Sequence, residues 1–351
     1  MELFISLLIF VVLAVFILIT AAAYTTLAER VVCAWIQQRK GPNRVGWFGL
    51  LQPLADGIKL LLKEDIVPKS SNRGIHFLAP VMATALAVCG IAMLPFAKGL
   101  QILDVNIGIL YILGVSSIAV YAITLAGWSS NSKYSLLGGL RSSAQMISYE
   151  LSLGLALVSV ILLTNHITPA GGEYLKVSAI VEAQRNVWFI FINPVAGFIF
   201  ITCAFAELNR APFDLVEAEQ ELVGGYHTEY SSMKFGSFFV GEYLNVVIMS
   251  GFISTFFFGG YLGPFEGTIG VANWSPLQQT VWGIGWFAIK TMIWIFIMIW
   301  VRWTLPRFKY NQLMDIGWKS FLRVAIVNIM VVAGVLVVIQ NWNTILLYFQ
   351  K

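Results

Sequence analysis

Eight stretches of about twenty or more apolar residues divide this chain, at roughly 3–27, 77–97, 107–128, 144–163, 187–206, 235–261, 277–301 and 324–348. A helix needs about twenty apolar residues to cross the ~30 Å hydrocarbon core of a bilayer. Inside lipid every backbone N–H and C=O must be paired within the protein, so only helices and closed barrels span. The alternation of apolar and polar residues that marks barrel strands is absent. The expected fold is therefore an all-α polytopic membrane protein. It has about eight transmembrane helices, with amphipathic and short helices in long loops. Composition agrees: 58% of residues are hydrophobic and 11% charged, against about 25% charged in soluble domains. The first run starts with Glu2 and continues for about twenty-five residues, which reads as a retained helix and not as a cleaved signal peptide.

Loop charge sets the expected orientation. The odd-numbered loops hold seventeen Lys and Arg and the opposite side holds four, with Lys290 inside a span. Both termini are then expected on the periplasmic side of a bacterial inner membrane, with the odd loops in the cytoplasm. The net charge of +4 is mostly this orientation signal, so no nucleic-acid partner is expected. Cys33, Cys89 and Cys203 stand far apart in or beside spans. No zinc or iron–sulfur spacing and no phosphate-binding glycine loop is present. The chain is expected to bind no redox centre or nucleotide by itself.

A single integral domain, 1–351, is expected, with two long cytoplasmic loops. In the first, 30–76, Leu50, Leu51, Leu54, Ile58 and Leu61 recur at helical spacing while Asp56, Lys59 and Lys63 fall elsewhere. The pattern predicts an amphipathic helix lying at the membrane surface. The second, 207–234, holds a third of the chain's eighteen acids within 207–230: Glu207, Asp214, Glu217, Glu219, Glu221 and Glu229. At about 2.5–3.5 kcal/mol each, six acids facing lipid would cost on the order of 15–20 kcal/mol. The segment is therefore solvated or buried against protein. Pro212 suits the first turn of a helix, on which Asp214, Glu217 and Glu221 would share one face within roughly 60°. Two readings stay open, a solvated acidic face and a coupled set of carboxylates that exchanges protons. Phe213, Leu215, Val216, Leu222 and Val223, interleaved with the acids, argue for the second. Glu150, Glu242 and Lys290 lie within spans, where ionisable groups are rare and functional by default. Two acids and one base suit a buried proton path.

The segments GPNRVG, LQPLADGIKLLLKE, LRSSAQMISYE, AELNRAPFDLVEAEQELVGGYHTEY and LPRFKYNQLMDIGWK occur in that order. Together they resemble, over the whole chain, the membrane component of NADH:quinone oxidoreductase, respiratory complex I, that is called subunit 1 in mitochondria. The resemblance implies the membrane part of a quinone chamber, lined at Glu29, Arg30, Arg39, Asp56, Lys63, Arg210, Asp214 and Arg302. It implies a proton path through Glu150, Glu207, Glu217, Glu219, Glu221, Glu229 and Glu242, to which the intramembrane Lys290 is added from its position alone. Quinone is then the substrate, and FMN and iron–sulfur clusters belong to partner subunits. The implied partners are the hydrophilic quinone-site and terminal iron–sulfur subunits, the antiporter-like membrane subunits, and membrane lipid. Lys133, Arg141 and Arg307 match as loop bases that pair or dock. Asn311 departs from the Asp of many relatives. A homologous membrane component of a proton-pumping membrane-bound hydrogenase is the alternative. A free-standing transporter lacks support, because no internal repeat is visible.

Overall fold

A computed structural model describes residues 2–167, 173–214, 223–264, 266 and 274–341, with side chains from residue 9 onward. Among these residues the chain is helical, with no strand. The helices are α1 (Glu2–Ile36), α2 (Gln52–Leu62), α3 (Arg73–Gly90), α4 (Gly108–Ser129), α5 (Lys133–Ile167) and α6 (Val177–Ala183). They continue with α7 (Phe189–Ile192), α8 (Pro194–Glu207), α9 (Ser232–Phe257), α10 (Pro276–Thr304), α11 (Tyr310–Asp315) and α12 (Leu322–Gln340). A π-helical turn, Ile316–Phe321, joins the last two.

Among the described residues, seven helical segments are long and apolar enough to cross a membrane. They correspond to seven of the eight apolar runs. The fifth run, 187–206, differs. It breaks at Asn193 into α7 and the 14-residue α8, which at 1.5 Å per residue reaches only about 21 Å. The cause is local. Pro194 has no N–H to donate back into α7. Asn193 leaves helical geometry at φ −133°, and its side chain accepts the Ala196 N–H at 3.1 Å, starting a new helix. Other ends carry ordinary signals. Asn72 caps α3, and a Ser275–Gln278 capping box with Pro276 starts α10.

Helices α5 and α9 form the centre. Their most apolar windows are 56% and 61% buried, against 6% for the segment containing α12 and 22% for α1. Around them α4 packs on α3 and α5, α8 on α5, and α1 and α10 on α9. The periphery is apolar and uncovered, as a lipid-facing surface must be.

The first loop carries α2, as its spacing predicts. None of its residues is buried, and Leu54, Ile58, Leu61 and Leu62 stay exposed along one side. Of the acidic segment, 211–214 form a turn, with the Phe213 N–H donating to the Arg210 carbonyl at 2.9 Å. Pro212 thus lies in a turn. Glu217 and Glu221, expected to share a helix face with Asp214, fall outside the described residues, as does Glu219. Past it, a Gly225–His227 turn rests on α5. Gly138 permits this approach, since a Cβ there would stand 2.9 Å from the Gly225 Cα.

Candidate functional site

The charged side chains of α1, α9, α10 and the Arg210 turn meet in one buried network. Arg210 is 3% exposed and Glu29 5%. Arg210 Nε donates to Glu242 Oε1 at 2.6 Å and Nη1 to Glu29 Oε2 at 3.0 Å. Arg302 Nη1 donates to Glu29 Oε1 at 2.5 Å, and the Tyr243 hydroxyl to Glu29 Oε2 at 2.9 Å. The Arg210 guanidinium also lies 4.3 Å from the Tyr243 ring centre. Burial works against the Arg210 charge, but Glu242 and Glu29 outweigh it and raise its pKa further. A planar guanidinium suits this role because its fixed fork can serve two carboxylates at once. Nη2 of Arg210 is buried and has no protein partner.

A second pair, Arg30 Nη1 to Asp56 at 2.6 Å, ties α1 to α2. Arg307 lies 3.8 Å from Asp214. Arg39 bonds Gln37 at 2.6 Å, close to its own helix end, and Lys63 is exposed at the end of α2. The residues implied for the quinone chamber therefore fall into a core of buried Glu29 and Arg210 with half-buried Arg302, two flanking pairs, and two cations that stand apart.

Beside the network lies a cavity of about 70 Å³ lined by Glu207, Glu242, His227, Tyr226, Asn209 and Asn245, with Met146 and Ala119. A water needs roughly 10–15 Å³ and polar partners, and this cavity supplies both. A second cavity of about 60 Å³ shares Ala119, Met146, Glu207, Leu208 and Asn245 with the first and reaches Ser116. Ser116 lines this cavity with Glu207 and lies 3.5 Å from Glu150. Ser117 also donates to Glu150. One Glu207 oxygen is buried without a protein partner. Glu242 and Glu207 thus line contiguous space, and Glu150 adjoins it through Ser116. Glu229 is half-buried and does not line it.

Lys290 is placed elsewhere. Its ammonium donates to the carbonyls of Phe258 at 2.5 Å, Gly260 at 3.0 Å and Leu262 at 2.6 Å, where the chain leaves α9. The Trp188 ring lies 4.7 Å away. Sixteen residues separate Glu242 from Phe258 along α9, about 24 Å of helix. Lys290 thus bonds a helix end, away from Glu242 and Glu150.

Sequence reasoning missed Tyr243, His227, Ser116 and Ser117. A hydroxyl pair within an otherwise apolar span was the available signal for the last two. Tyr243 adjoins Glu242 in sequence but bonds Glu29, a pairing only packing reveals.

A buried, paired-charge network opening onto a polar cavity inside an apolar helix bundle defines a polytopic membrane protein that handles charge. A family model described as NADH dehydrogenase matches residues 8–333. The chain is 55% identical over 324 residues to the NADH-quinone oxidoreductase subunit 8 of Rhodothermus marinus, covering 90% of this chain and 93% of that one. It is 51% identical over 325 residues to an NADH-quinone oxidoreductase subunit of Salinibacter ruber, covering 90% and 92%. It is 49% identical over 335 residues to an NADH-quinone oxidoreductase subunit of Geobacter metallireducens, covering 93% and 95%. The chain belongs to the NADH dehydrogenase family of membrane subunits.

Proposed function

We propose that this chain forms the membrane part of the quinone chamber in an NADH-quinone oxidoreductase and couples quinone reduction to proton transfer. The observation that carries the reading is that one guanidinium, Arg210, bonds both Glu29, implied for the chamber, and Glu242, which lines the acid cavity. Opposite charges buried together remain charged only while paired. A quinone head group that drew Arg210 or Arg302 away from Glu29 would change the proton affinity of Glu29 and, through Arg210, of Glu242. Protons would then redistribute between Glu242 and Glu207 through the cavity and on to Glu150 past Ser116. In this reading FMN and the iron–sulfur clusters reside in partner subunits, and quinone arrives from the bilayer. The first loop and the acidic segment dock hydrophilic subunits at the cytoplasmic face of a bacterial inner membrane, with both termini periplasmic. The names of the relatives favour this over the hydrogenase alternative.

The test compares NADH:quinone with NADH:ferricyanide activity in membranes carrying Glu242→Gln or Glu217→Gln. Ferricyanide takes electrons upstream of quinone and so reports assembly. Loss of quinone reduction with ferricyanide reduction retained supports the reading. Wild-type quinone turnover and proton pumping in both variants would overturn it.

A further inference from the structure

Arg210 reaches carboxylates on two different helices from a stretch of chain that is not itself helical. Helix α8 ends at Glu207, and Arg210 follows in the turn that runs to Asp214. Asn209 enters this turn in the left-handed region, at φ +50°, which Asn tolerates better than most side chains. Four side chains of α5 meet the turn. The Gln145 amide nitrogen donates to the Ala206 carbonyl at 2.8 Å and to the Phe213 carbonyl at 2.7 Å. The Ser142 hydroxyl donates to Asn209 Oδ1 at 3.1 Å, and the Asn209 amide nitrogen lies 3.4 Å from Met146 Sδ. The Tyr149 ring packs edge-on against Phe213, with 5.6 Å between centres. Residues at this spacing share one face of a helix, and both Ser142 and Gln145 are fully buried on it.

Resting on the proton-coupling reading above, we infer that Gln145 is the positioning residue that holds Arg210 on both Glu29 and Glu242. Its single NH2 group ties the chain before Arg210 to the chain after it, at Ala206 and Phe213. The turn is thereby closed across its own ends, and the guanidinium projects between two fixed anchors. Inside that span the Phe213 N–H donates to the Arg210 carbonyl at 2.9 Å, and the Phe308 N–H holds the Pro212 carbonyl at 3.1 Å. The orientation of the Gln145 amide is set by its partners, because the reverse would press its oxygen against two other acceptors. Packing alone does not account for an amide here. Gln145 Oε1 is buried with no protein partner, a cost that Met or Leu in the same space would avoid. The guanidinium bonds Glu242 at 2.6 Å and Glu29 at 3.0 Å from two of its nitrogens, so a turn freed at either end lets it settle on one carboxylate and leave the other. Gln145 has no exposed surface and acts on quinone chemistry through Arg210.

The test is a set of variants of the intact complex, with NADH:quinone turnover scaled to NADH:ferricyanide turnover so that only assembled complex counts. Gln145→Met keeps the length of the side chain and loses both donors. It should lower quinone turnover about 10–100-fold, as a small misplacement of a reacting group does. Gln145→Asn keeps the amide on a shorter stem that reaches at most one of the two carbonyls. It should be slow as well, and it decides the matter if the Met variant does not assemble. A double-mutant cycle with Arg210→Lys, which keeps the charge but not the fork, separates positioning from a general structural defect. Acting through Arg210, Gln145→Met should slow the Arg210→Lys complex little further, whereas an independent defect multiplies the two losses. Wild-type turnover in either assembled Gln145 variant, or losses that multiply in the double variant, overturns the assignment. Glu242→Gln run in parallel separates the two ideas. If it loses quinone turnover while both Gln145 variants are normal, only the positioning role falls. If all three behave as wild type, the proton-coupling reading falls with it.

Discussion

Two regions of this bundle each bury a charge inside the apolar layer, and they do so in opposite ways. Around Arg210, two carboxylates and two guanidiniums share partners, and a cavity with room for water adjoins them. At Lys290, a single ammonium is claimed by three backbone carbonyls at a helix end, under an indole ring. Shared side-chain partners can be re-paired by rotating a side chain, so protonation there responds to small movements. Backbone carbonyls are fixed by the helix they terminate, so the Lys290 side chain is held in one position. Ionisable residues in membranes mark function by default, and the two regions give theirs different kinds of partner. What matters is whether the partners are free to exchange.

The comparison predicts its own failures. The largest effect is expected for Arg210→Met, which leaves Glu29 without one of its two cations and Glu242 without its bonded cation. Breaking such a pair costs about 3–5 kcal/mol. Native electrophoresis should show little assembled complex, and the fraction that assembles should lack quinone turnover. Wild-type assembly and turnover would mean that the network is not charge-coupled. Lys290→Met should come next, since orphaned carbonyls cost roughly 1–3 kcal/mol. Its complex should melt earlier in detergent while pumping the normal number of protons per electron. Normal stability with reduced pumping would break the contrast between the two regions.

Glu207→Gln should show the converse of Lys290→Met. Its buried oxygen has no protein partner to lose, so thermal stability should stay within about 1 kcal/mol of wild type, as for a substitution that breaks no pairing. Coupled quinone turnover should nevertheless fall severalfold. A large stability loss without a coupling defect would assign Glu207 to packing.

The smallest effects are in the pH dependence of stability, on the two neutral rings of the acid side. Burial pushes the Tyr230 phenol up to about 12, with its Ser129 hydrogen bond opposing. Its contribution is therefore complete below the unfolded value of 10 and lost as pH rises through about 12. Tyr230→Phe should flatten that alkaline decline in melting temperature. His227 runs the other way. Its folded value lies below the ordinary 6.5, so its contribution is complete above 6.5 and lost as pH falls through the lowered value. His227→Gln should flatten the acid limb, and an unchanged limb would place the ring in open solvent.

The sequence by itself determined what depends on near neighbours. The all-α membrane class, seven of the spans, the amphipathic α2 and the concentration of acids follow from hydropathy and spacing over windows of about twenty residues, because the bilayer acts on each segment separately. The break at Asn193–Pro194 was equally local and lay in plain view, but a run of mean hydropathy averages over a single proline. Only the tertiary structure decided the pairings. Glu29, Arg210, Glu242 and Arg302 are separated by up to 273 residues, and nothing in their local spacing says that one guanidinium bridges Glu29 and Glu242. The same holds for Lys290, whose partners are backbone atoms and therefore invisible in side-chain identity, and for His227, which a glycine contact on α5 delivers to the cavity wall. Charges in a low-dielectric interior are set by what packs against them, and in this bundle that is settled by which helices meet.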